Sequence, residues 1–149
     1  MKELVSKETS EKLKSKVKGQ IVKPGDSSYE AVCEIWNAMI ERRPALIERC
    51  AEANDVPHAI SFARDNGLEI SIRGAGHNIA GNPLYENGLV IDFSTMRNVR
   101  VDAKKKRAYV EPGATLADFD EAAQSHGLAT PVGRGRRMRS GGHRLRRQL

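Results

Sequence analysis

Apolar positions recur along this chain in short periodic stretches separated by Gly, Pro and charged residues. Residues 1–18 are Lys/Glu-rich, with Leu4, Val5, Leu13 and Val17 as the apolar contacts, and predict a peripheral helix stopping at Gly19. Pro24-Gly25-Asp26-Ser27-Ser28 is a turn that can cap a following helix. Ala31, Ile35, Ala38 and Met39 stand at helical spacing and predict that helix to about Ile40, with Trp36 in the core. Arg42-Arg43-Pro44 ends it, and Ala45–Cys50 is a short strand.

Asn54 is placed to cap a third helix, with Pro57 inside its first turn. Val56, Ile60 and Ala63 would line its buried face, and Asn66-Gly67 would close it. Leu68, Ile70 and Ile72 alternate with Glu69, Ser71 and Arg73, the pattern of a half-buried strand. Residues 45–73 therefore read strand–helix–strand, a βαβ unit with parallel strands. Gly88–Phe93 reads as a buried strand, and 99–101 with 108–110 form a hairpin around the solvated turn Asp102–Lys106. Thr115-Leu116-Ala117-Asp118 opens a last helix as a capping box, with Leu116, Phe119 and Ala123 inward and Gly127 as the stop.

The connection after the 68–73 strand carries the candidate chemistry: Arg73-Gly74-Ala75-Gly76-His77-Asn78-Ile79-Ala80-Gly81. Its glycines permit positive φ and a close ligand approach. Successive N–H groups in such a turn make a concave anion site suited to a pyrophosphate. A Rossmann fingerprint is excluded, because Ile79 stands at the last glycine position and Asn82-Pro83 blocks a helix. A P-loop is excluded by the missing Gly-Lys-Ser/Thr. Asp92 stands where a ribose-binding acid would, but without the Rossmann pattern its reading is structural. His77 lies inside the loop with no apolar periodicity around it, and a neutral imidazole there could act as a nucleophile. His58 and His126 read as surface residues.

Composition narrows the class. At 149 residues the chain is the size of one ordinary domain, 39% hydrophobic and 30% charged, which fits a globular protein rather than a disordered one. No apolar run approaches the ~20 residues of a membrane span. The N-terminus shows no apolar signal segment, so a cytoplasmic location is expected. Two cysteines, Cys33 and Cys50, make no disulfide framework, and the four histidines lack metal-site spacing, so no metal is expected.

The net charge of +6 suggests an anionic partner until its location is considered. Residues 134–149 hold seven arginines and no acid; residues 1–133 carry 18 basic and 19 acidic side chains, a net of −1. The alternative function left open is a small basic protein that binds nucleic acid or anionic surfaces through this tail. The tail has no aromatic residue for base stacking, which argues against a nucleic-acid site.

Several segments together resemble the N-terminal part of the FAD-linked oxidases of the vanillyl-alcohol-oxidase (PCMH-type) superfamily. They are Tyr29…Trp36-Asn37, Arg42-Arg43-Pro44-Ala45, Asp55-Val56, the 73–78 loop, Gly88–Asp92, Gly113 and Gly127–Gly133. The branch is similar to berberine-bridge-enzyme-like and 6-hydroxynicotine-oxidase-like flavoproteins, with Ala75 where Gly is usual. The resemblance implies an α/β (α+β) PCMH-type FAD-binding domain over 19–133, a first small α/β lobe followed by an incomplete second lobe from about Val99. It implies FAD as cofactor and partner, with Arg73, Gly74, Ala75, Gly76, His77, Asn78, Ile79 and Gly81 around the pyrophosphate. His77 would be the residue covalently attached to the flavin. Pro131, Val132 and Gly133 would open a second cofactor loop.

The catalytic residues stay unknown: the resemblance places the small-molecule substrate in a domain of the full-length relatives, so no catalytic base can be named in this chain. Past Gly133 the family's glycine-rich continuation is missing. Codons for Arg136–Leu149 can be chosen that, read one nucleotide later, spell a sequence resembling it, so residues 134–149 are expected to be a frameshifted, disordered tail on a truncated product.

Overall fold

The computed structural model describes residues 5–131 and a two-residue strand, Arg146–Arg147. It is mixed α/β and divides into two compact units at Thr95/Met96.

In the first unit, α1 (Lys7–Lys14) begins at Ser6, whose hydroxyl accepts the N–H of Thr9, and ends at Ser15 rather than Gly19. β1 (Gln20–Val22) is a strand that the pattern does not predict. It pairs antiparallel with β2 (Leu46–Arg49). The remainder is the expected parallel arrangement: β2 and β3 (Ile70–Arg73) each run parallel to β4 (Leu89–Asp92), giving the order β1-β2-β4-β3. Every β4 side chain is buried, the apolar Leu89–Ile91 as a strand at the sheet centre requires and Asp92 at its end.

α2 (Tyr29–Cys33) is much shorter than its apolar spacing predicts. Glu34 turns extended, and the Trp36 N–H donates to the Gly76 carbonyl at 3.0 Å instead of continuing the helical ladder. Trp36 is consequently 64% exposed rather than core. One face of the sheet buries Val22, Ile47, Val90 and Leu84 against Tyr29 and Val32. The Tyr29 hydroxyl donates to the Pro44 carbonyl at 2.8 Å, fixing the entry to β2.

α3 (Asp55–Asp65) packs against β4 and buries Ala59 and Ala63, while Ile60, expected inward, is exposed. Asn54 makes no capping bond. Asp55 instead accepts the N–H groups of Lys18, Ala51 and Glu52 at 2.8, 2.8 and 3.2 Å. Burial alone would raise the Asp55 carboxyl, but these donors hold it below the ordinary range.

In the second unit β5 (Val99–Asp102) and β6 (Arg107–Val110) form the expected hairpin. α4 (Leu116–Gln124) opens with the capping box: the Thr115 hydroxyl accepts the Asp118 N–H and the Asp118 carboxylate accepts that of Thr115. Phe119, Ala123 and Leu128 pack on Val99, Val101, Ala108 and Val110. β7 (Leu128–Ala129) pairs antiparallel with β8 (Arg146–Arg147). This strand is the part of the expected disordered tail that is described; residues 134–145 and 148–149 lie outside the described residues. No described helix is long and apolar enough to cross a membrane.

Candidate functional site

The glycine connection leaves the C-terminal end of β3 in the first unit, beside the ends of β2 and β4. Ligand crevices of open α/β sheets lie at this end of the strands. Arg73 closes β3 with its side chain 13% exposed. Its Nη1 lies 3.6 Å from the fully buried Asp92 carboxylate, and its Nη2 donates to the Glu34 carbonyl at 2.8 Å. Arg49, at the end of β2, approaches the same carboxylate at 3.6 Å, and Ser94 donates to it from N and Oγ at 2.9 and 3.0 Å. Asp92 is thus the electrostatic tie of three strand ends, the structural role read for it.

Beyond Arg73 the backbone turns under glycine control. Gly76 has φ 73° and Gly81 φ 76°, a region that strains any L side chain. A Cβ on Gly76 would meet Ile35 at 3.2 Å, and one on Gly81 would meet Ile40 at 2.6 Å. Both contacts come from the segment that replaces the expected second half of α2. The same segment holds three of the loop's carbonyls. Gly76 O accepts from Trp36 N–H, Ile79 O from Asn37 Nδ2 at 2.8 Å, and Gly81 O and Leu84 O from Arg42 Nη1 at 3.1 and 3.0 Å. Asn78 shapes the turn from within: its carbonyl accepts the Gly81 N–H at 3.2 Å and its Oδ1 accepts the Asn82 N–H at 3.2 Å.

The donors are left over. Among the described residues, none accepts the main-chain N–H groups of residues 74–80. Unpaired main-chain donors in succession make a partly positive surface with room for several anionic oxygens. His77, Asn78 and Ile79 are exposed along this stretch, Ile79 by 71%, and Gly74 and Ala75 are partly covered. Residues 73–81 are therefore together in one unit. Pro131 is exposed in the second unit, and Val132 and Gly133 lie outside the described residues.

Asn37 and Arg42 contribute to the loop, although neither is a site residue that the sequence predicts. Both lie in the Trp36-Asn37 and Arg42-Arg43-Pro44 motifs, and their contacts join positions about forty residues apart, which periodicity cannot reveal.

Comparison with known proteins assigns the class of this α/β unit with its glycine-rich turn at the strand ends. The family described as "FAD binding domain" matches residues 44–144, a span that runs into the arginine-rich tail. The chain is 37% identical over 117 residues to (R)-6-hydroxynicotine oxidase of Paenarthrobacter nicotinovorans, covering 78% of this chain and 26% of that protein. It is 35% identical over 100 residues to berberine bridge enzyme-like 3 of Arabidopsis thaliana, covering 61% and 18%. The crystal structure of 6-hydroxy-D-nicotine oxidase from Arthrobacter nicotinovorans superposes with a TM-score of 0.80 at 35% identity, over 83% of this chain and 27% of that one.

The chain belongs to the PCMH-type FAD-binding domain family of the FAD-linked oxidoreductases, among its 6-hydroxynicotine-oxidase-like and berberine-bridge-enzyme-like members. It spans about a quarter of the length of the first of these relatives.

Proposed function

We propose that this chain binds FAD through the 73–81 connection, with the cofactor's pyrophosphate on the N–H groups of residues 74–80. The carrying observation is that run of donors without acceptors among the described residues, while the carbonyls of Gly76, Ile79 and Gly81 are held by Trp36, Asn37 and Arg42. Gly76 and Gly81 fit this role, because each lets the backbone turn where a side chain would collide with the segment behind it. Arg73 fixes the start of the turn and leaves its charge close by.

FAD supplies hydride acceptance and reoxidation by oxygen when bound. The part of this chain is to hold and orient it. His77, exposed on the loop, is the proposed attachment residue. With FAD bound, the neutral ring nitrogen of His77 would be the nucleophile toward the flavin 8α carbon. The C–H bond broken there and the imidazole N–H would give up two protons, the electron pair would reduce the flavin itself, and oxygen would be the final oxidant. Pro131, Val132 and Gly133 are proposed as a second cofactor contact. Oxidation of a small-molecule substrate is proposed for full-length relatives, and residues 1–149 by themselves are proposed to show little or no turnover.

Reconstituting the purified chain with FAD tests the reading. Flavin absorbance should appear on the protein and survive acid precipitation, and His77→Ala should abolish the acid-stable fraction while leaving reversible binding. Failure to bind FAD at all would overturn the cofactor assignment. Binding that acid always releases would overturn only the covalent link.

A further inference from the structure

We infer that Asn37 is a positioning residue for the cofactor phosphates, acting through the peptide unit between Ile79 and Ala80. The inference rests on the FAD reading above and adds to it a residue outside the glycine loop. A trans peptide is planar, with its C=O and N–H pointing in opposite directions. Whatever holds the carbonyl of one residue therefore aims the N–H of the next. Asn37 Nδ2 donates to Ile79 O at 2.8 Å, so the N–H of Ala80 is turned away from the 34–42 segment, as the Trp36 bond to Gly76 O turns that of His77.

The Asn37 amide is itself fixed. Its Oδ1 accepts the Met39 N–H at 3.1 Å, which determines which end of the side chain faces the loop. Asparagine suits the position because it presents an acceptor to its own turn and a donor to the loop at once. Aspartate could accept from Met39 but would set a negative oxygen against the Ile79 carbonyl and turn that peptide unit.

Arg42 acts one step further along. Its Nη1 holds the carbonyls of Gly81 and Leu84, closing the turn behind the donors. Asn37 is the more informative residue to change, because it is only partly covered and belongs to no helix, strand or core cluster.

The test is a pair of titrations, FAD and riboflavin, on the full chain carrying His77→Ala so that binding stays reversible. Riboflavin shares the flavin ring and ribityl chain but lacks the phosphates. The His77→Ala chain should bind FAD more tightly than riboflavin. Asn37→Ala in that background should weaken FAD about tenfold, and Asn37→Asp more, with riboflavin affinity and the melting temperature of the flavin-free chain unchanged. An equal loss for both ligands, or no loss for FAD, would overturn the inference while leaving the FAD reading standing. If the His77→Ala chain itself shows no preference for FAD over riboflavin, the pyrophosphate reading fails and the inference with it.

Discussion

Arg73 and Asp92, paired in register across β3 and β4, also meet through their side chains, with Nη1 3.6 Å from Oδ2. The carboxylate is fully buried and lies equally close to Arg49, so one acid balances two cations at the strand ends that carry the glycine loop. Removing the acid would leave both guanidinium groups without the counter-charge they share. Taking one partner from a buried charge cluster commonly costs ~3–5 kcal/mol. Asp92→Ala is expected to lower the unfolding free energy by about 3 kcal/mol, measured by urea denaturation. A loss within experimental error would mean that Ser94 and solvent, not Asp92, satisfy the arginines.

Two glycines with similar φ should respond differently to alanine. Gly67 and Gly81 have φ 63° and 76°, but only at Gly81 would a Cβ collide, 2.6 Å from Ile40 Cγ2; nothing lies within 4 Å at Gly67. Gly67→Ala should therefore cost only left-handed strain, about 1 kcal/mol. Gly81→Ala should cost on the order of 3 kcal/mol, and Ile40→Ala in the same chain should recover part of it. Equal melting temperatures for the two single variants would refute the steric argument.

The second unit depends on its helix start. Asp118 accepts the Thr115 N–H at 2.7 Å and a forked pair from Arg97 Nη2 and Nε at 2.7 and 3.2 Å. Burial works against the ionised carboxyl, yet the Thr115 and Arg97 donors hold its pKa below the ordinary range. Its contribution is complete above the unfolded value of roughly 4 and is lost as pH falls through the lower folded value. Thr115→Ala should cost ~1 kcal/mol at neutral pH, seen as earlier unfolding of the α4 amides in hydrogen exchange. Unchanged protection in that helix would show that the cap does not limit its opening.

The parallel core was legible because its signals are local: Leu89–Ile91 of β4 is an apolar run, and α4 carries a capping box that forms as written. The glycine loop was legible for the same reason, being one contiguous stretch. Periodicity failed where burial depends on what lies opposite. On β3 the alternation is real but the covered face is the other one: Ser71 is buried and donates to Pro83 O at 3.2 Å, while Ile70 and Ile72 are exposed. The cause is topological. β3 is the sheet edge and α3 packs against β4. Trp36 and Met39 likewise fit a helix whose ladder is interrupted by a carbonyl forty residues away. β1, with three residues, is too short to leave a pattern.

Glu48 gives the chain a pH dependence opposite to that of Asp118. It sits in β2 with its side chain completely buried, and its Oε2 has no hydrogen-bond partner among the described residues. Burial pushes its pKa from 4.5 to about 7, the Asp55 charge adds to the rise, and the Cys50 thiol, 3.9 Å from Oε1, opposes it. The fold therefore prefers the protonated acid, whereas the unfolded chain ionises it normally. Its favourable contribution is fully present below about pH 4.5 and is lost as pH rises through about 7. A shift of this size corresponds to stability on the order of 3 kcal/mol. Glu48→Gln, similar in shape and unable to ionise, should remove that slope. Urea denaturation of both chains between pH 5 and 8 measures it, and an equally steep fall in the glutamine variant would assign the dependence to another group.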